Sequence, residues 1–171
     1  MKIDILKKIQ KESYLERGRQ AIKFVEDHLD PDSVDEPWLR SSYILMSFGF
    51  EIILKSRVIA LSHASNKLEL DQELIKIGHN FISLFEVLGE KELKHIGLKK
   101  DIIKEPYNNY NYFVIETIND KSIKIENFND IRYGGNFPKT DSDEHKKIIR
   151  YAKLILEVSE KIKNANRDPQ A

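Results

Sequence analysis

The sequence predicts an all-α fold, an antiparallel bundle of four to five main helices, on three observations. Apolar residues recur at spacings of three and four along most of the chain, the period of helices with one buried face. Apolar residues make up 40% of the chain and charged residues 33%, a balance that suits buried stripes beneath salt-rich outer faces. Turn chemistry is gathered between the periodic segments: Pro31 and Pro37 flank an acidic stretch, and Gly134-Gly135 precedes Pro138. At 171 residues the chain is long enough to bury a core as one domain, expected over residues 1–163 with a flexible tail at 164–171.

The first helix is expected from Ile3 to Leu29, carried by Leu15, Ala21, Ile22, Val25 and Leu29, with a break near Gly18. It stops before Pro31. The second runs from Pro37 to Ser65 and is apolar nearly all round, from Ile44 and Phe48 to Val58 and Leu61, as befits a helix surrounded by others. Asn66 offers its stop. Phe81, Leu84, Phe85 and Leu88 mark a further helix, with Asn80 as its N-cap. The run Tyr107 to Ile118 fits helix or strand by composition, and its helical neighbours favour helix. Phe128 to Pro138 reads as an irregular connection. The last helix is capped by Asp141 or Ser142, with Glu144 in a box-like position and an inward stripe of Ile148, Ile149, Ala152, Ile155, Leu156 and Ser159.

Charge and composition exclude several classes. Lys plus Arg and Asp plus Glu both total 28, so no global basic field holds nucleic acid. The absence of cysteine removes disulfides, thiol nucleophiles and cysteine-type zinc sites, and fits the cytoplasm. Met1 to Glu12 lacks the unbroken apolar core of a signal peptide. The most apolar stretch, Tyr43 to Leu61, is interrupted by Glu51, Lys55 and Arg57, so no membrane partner is expected. His28, His63, His79, His95 and His145 stand apart without metal spacing, and neither metal nor cofactor is expected.

Three short motifs carry the functional reading. Glu51 and Lys55 are four apart in the core helix, in the favourable order for an ion pair. Gly78-His79-Asn80-Phe81 opens the next helix, and Arg132-Tyr133 precedes the last. In this order the segments resemble HEPN domains over residues 40–160, where Glu-x-x-Leu-Lys precedes Gly-His-Asn-Leu and an Arg-Tyr corner. The resemblance implies an antiparallel, commonly dimeric bundle. Some members are metal-independent ribonucleases, often in toxin or antiphage systems, and others are non-catalytic binding modules. Strands among residues 106–126 would count heavily against the resemblance.

The ribonuclease members place a His after Arg with about four to six intervening positions, so that His moves a ribose-hydroxyl proton while Arg offsets phosphoryl charge. Here the next His after Arg132 is His145, twice that distance or more. A catalytic Arg132–His145 pair would need Gly134 and Gly135 to fold the chain back. Arg57 and His63 have the right spacing, yet six helical steps of roughly 100° point them to different faces.

The expected arrangement is therefore a cluster of Glu51, Lys55, His79, Asn80, Arg132 and Tyr133. The plainer reading makes it a hydrogen-bonded device that fixes helix packing. The functional one makes it a cleft whose Lys55 and Arg132 take an anionic group. The aromatic run Tyr107, Tyr110, Tyr112 and Phe113 is expected at a homodimer face, with stacking on bases as the competing use. The leading expectation is a dimeric, non-catalytic binding or regulatory module in a prokaryotic defence or toxin-antitoxin-type setting, with RNA or a nucleotide, or a protein, as its partner. A metal-independent endoribonuclease is the alternative, and a helical bundle unrelated to that family the third.

Overall fold

The computed structural model describes residues 2–28, 36–107, 110–125 and 142–167. The molecule is mostly helical, with α1 (Ile3–His28), α2 (Glu36–Leu61), α3 (Lys67–Ile77), α4 (Phe81–His95) and α5 (Ser142–Arg167). A sheet of three strands, β1 (Leu98–Tyr107), β2 (Tyr110–Thr117) and β3 (Ser122–Ile125), lies between α4 and α5 in the chain.

Helix α2 is the hub. Every residue from Gly49 to Ile59 is buried, as the all-round apolar pattern predicts. Helix α1 lies against it in the opposite direction, since Trp38 Nε1 donates to the His28 carbonyl at one end and Lys7 Nζ to the Ser62 carbonyl at the other. Between those ends Gly18 faces Gly49. A Cβ on Gly18 would lie 2.6 Å from the Gly49 carbonyl oxygen and 2.6 Å from Ile53 Cγ1. The expected break at Gly18 does not occur, because this glycine serves close approach of two backbones and α1 runs through it.

The second correction concerns α2 and its successor. Helix α2 ends at Leu61, and Asn66 starts a helix instead of stopping one: its side chain accepts from the Glu69 amide at 3.0 Å. Glu69 reaches back to accept from the Ser65 amide, one residue before the cap, at 2.7 Å and from the Asn66 side-chain amide at 2.8 Å, a variant of the capping box. Leu70 and Ile77 are the buried residues of this α3. Gly78, at φ +62°, ends it, and Asn80 Oδ1 accepts from the Ile82 amide at 2.9 Å, capping α4 as expected. Gly89, at φ +73°, kinks α4 before Leu93 joins the core.

In place of the helix expected over Tyr107 to Ile118, Tyr107 ends β1 and Tyr110–Thr117 form β2, while residues 108 and 109 lie outside the described residues. Phe113, Ile115 and Thr117 are buried, and Val114 and Glu116 between them are less so, a period of two that no helix gives. The strands pair as an antiparallel meander, with Ile102, Ile115 and Ile123 in register across it. Its inner face meets α4 through Phe81 and Phe113, whose rings lie 6.3 Å apart, and Phe81 in turn meets Phe50 of α2 at 5.7 Å. Phe113 is thus core, not the dimer face anticipated for it; the side chains of Tyr107, Tyr110 and Tyr112 lie outside the described residues.

Helix α5 buries the predicted stripe at Ile148, Ala152, Ile155 and Ser159 and adds Tyr151, Val158 and Ile162. It continues to Arg167. Ala165 and Asn166 are buried, so the tail expected from Asn164 is in part the packed last turn of a helix. No described helix is long and apolar enough to cross a membrane.

Candidate functional site

Glu51 and Lys55 occupy successive turns of the most enclosed stretch of α2, with Glu51 only 1% exposed. A lone carboxylate there would lose its hydration without return, so it requires a counter-ion and further donors. Lys55 supplies the first: its Nζ lies 2.8 Å from Glu51 Oε1. His79, carried by the turn between α3 and α4, supplies the second, with Nδ1 at 2.9 Å from Oε1 and 3.1 Å from Oε2. An ionised carboxylate only accepts, so the His79 Nδ1 carries the hydrogen and donates it. Glu51 is thereby held both from its own helix and by a residue 28 positions further along the chain.

The turn that presents His79 follows from its flanks. Gly78 takes the positive φ that lets α3 end, and Asn80 starts α4, leaving His79 between two helix termini with its backbone excluded from both. The side chain of His79 is 44% exposed, whereas that of Glu51 is 2% exposed. The cluster therefore has one buried end and one end that reaches the surface. Asn80 is exposed and serves as the cap rather than joining the carboxylate.

Of the residues singled out from sequence, the structure brings Glu51, Lys55 and His79 together. Arg132 and Tyr133 lie outside the described residues. The backbone of His145 belongs to the first turn of α5, while its side chain lies outside the described residues too.

Arg57 and His63 are separated. Arg57 is 3% exposed and donates through Nε and Nη2 to Glu92 of α4, at 2.6 and 3.0 Å. Its Nη1 donates to the Ala165 carbonyl at 2.9 Å and to Asn166 Oδ1 at 3.3 Å. His63 stands exposed beyond the end of α2. Every guanidinium nitrogen of Arg57 is thus committed to joining α2, α4 and α5. Sequence reading missed Glu92 and Asn166 as its partners: one lies in a run of charged residues on α4, the other in a segment taken for a tail.

Among the described residues no group of three or more His, Asp or Glu side chains is placed to hold a metal ion. What the Glu51 cluster offers chemically is a neutralised carboxylate that orients an imidazole at the surface. Compared with known protein families, with characterised proteins and with solved structures, the chain gives no match.

Proposed function

We propose that this chain is a HEPN-like binding or regulatory module, acting as a homodimer in a prokaryotic defence or toxin-antitoxin-type setting, and that it does not itself cut RNA. The observation that carries the reading is the meeting of Glu51 and Lys55 with His79 around one buried carboxylate. Those residues belong to two of the three segments on which the resemblance rests, and their contact gives both segments a shared structural purpose. The three-stranded meander departs from the helical bundle that the resemblance implies, so the support comes from the cluster and not from the overall outline.

The non-catalytic half of the reading has its own support. Arg57, the arginine with ribonuclease-like spacing to a histidine, is consumed by Glu92 and the last turn of α5. Glu51 and Lys55 satisfy each other, which is the pattern of a packing device. The deciding experiment incubates the purified protein with structured and single-stranded RNA in chelator, beside Arg132→Ala and His145→Ala, and measures its mass by light scattering. No cleavage and a dimeric mass are expected. Cleavage that both substitutions abolish in folded protein would overturn the reading in favour of a metal-independent endoribonuclease, and a monomeric mass would remove the dimer.

A further inference from the structure

A second polar feature, between α1 and α5, includes none of the residues of the Glu51 cluster. Helices α1 and α5 run in opposite directions, with Lys11 facing Asn166 and Arg19 facing Ser159 and Glu160. Between them is a cleft of about 290 Å³. That volume is just under the roughly 300 Å³ at which small-molecule sites begin.

The walls of the cleft are rich in hydrogen-bond donors. Lys11 and Arg19 come from α1, and Lys163 and Arg167 from α5. Glu12 and Glu16 stand on the α1 side, and Glu160 pairs with Arg19 and lies 3.9 Å from Lys163. Four cations against three carboxylates leave a positive excess in a chain whose formal net charge is zero. Lys11 spends one of its hydrogens on the Asn166 carbonyl oxygen at 2.8 Å.

An independent observation concerns Asn166 itself. It lines the cleft, is 9% exposed, and its Oδ1 accepts from Arg57, yet its Nδ2 has no hydrogen-bond partner although it is buried. A buried donor left unpaired costs about 1–3 kcal/mol, so Asn166, on the lining of the cleft, is short of an acceptor. The other buried side-chain atom without a partner among the described residues, Gln10 Oε1, is an acceptor and does not line this cleft.

We propose that this α1/α5 cleft binds a small phosphate monoester with a hydroxyl-bearing body. Donors approach from both walls, so the ligand must present acceptors in several directions. A tetrahedral phosphate does so with three strong acceptor oxygens and about −1.5 to −2 charge at neutral pH, whereas a planar carboxylate offers two oxygens and one charge. Glu12 and Glu16 then face the rest of the ligand, where carboxylates accept from hydroxyl groups and repel a second anion. The small volume and the absence of net positive charge favour a single small molecule over a polynucleotide.

Isothermal titration of the full chain with ribose 5-phosphate, inorganic phosphate and ribose tests this. Saturable binding at one site per chain is expected for the two phosphates, tighter for the sugar phosphate, and none for ribose. The double substitution Lys163→Ala with Arg167→Ala should weaken binding at least about tenfold, since it removes two charge-assisted contacts from exposed side chains outside the core. Lys76→Ala, at an exposed position of α3 that does not line the cleft, should leave the affinity unchanged. Absence of binding at millimolar phosphate ester, equal affinity in the double variant, or loss in Lys76→Ala alone would each overturn the proposal.

Discussion

Arg57 holds Glu92 through two parallel hydrogen bonds, Nε to Oε1 at 2.6 Å and Nη2 to Oε2 at 3.0 Å, in a part of the molecule where the guanidinium is nearly closed to water. Fork-on-fork geometry of this kind fixes orientation as well as charge. The same guanidinium reaches the last turn of α5, so one side chain ties three helices together.

Removing one partner leaves the other charge buried, which costs about 3–5 kcal/mol. Glu92→Ala and Arg57→Ala should each lower urea-unfolding stability by that order. Arg57→Met combined with Glu92→Met should recover part of the loss, but not all, because the Ala165 carbonyl would still lack its donor. A double variant no more stable than the singles would argue against a desolvation origin.

The Gly18 and Gly49 crossing admits no side chain. Gly18→Ala should destabilise by about 1–3 kcal/mol through overpacking, although alanine is the better helix former. Thermal unfolding followed by circular dichroism checks this, with helical content retained before the transition. An unchanged midpoint would mean that α1 and α2 can separate freely at that point.

The Glu51 cluster carries a sharper test of its structural role. Lys55→Met leaves the Glu51 carboxylate buried with its ammonium removed, and should cost several kcal/mol, on the order of 3–5. Glu51→Leu with Lys55→Met should restore most of that loss, since both charges then vanish together. Denaturant curves for the single and double variants decide it. If the single substitution proves neutral, the pair contributes nothing to packing.

Acid should weaken the molecule in part through α3. Hydrogen bonds from the Ser65 backbone and hydroxyl hold the Glu69 carboxyl below its ordinary value of 4.5. A carboxylate depressed in the folded state lends stability above its ordinary value and loses it as pH falls through the lowered one. Asp120 behaves in the same way, held down by a hydrogen bond from Lys99. Glu69→Gln should therefore be less stable than the parent near neutral pH, with the difference shrinking below about pH 4. Melting temperatures of both proteins across that range measure the effect, and a pH-independent difference would contradict it.

Much was legible from residue order because it depends on near neighbours. The burial of α2 follows from apolar side chains on all its faces, the start of α4 from Asn80, and the Glu51–Lys55 pair from a separation of one helical turn. What the tertiary structure alone decided involves distant partners. The segment 110–117 has a composition that serves helix or strand, and its pairing with β1 and β3 settles the matter by burying alternate residues. Arg57 finds Glu92 35 residues away and Asn166 109 residues away, and only the packing of α4 and α5 against α2 brings them within reach. Local periodicity writes itself into a sequence because each turn repeats it, whereas a buried ion pair is a single coincidence of two surfaces and leaves no repeat to read.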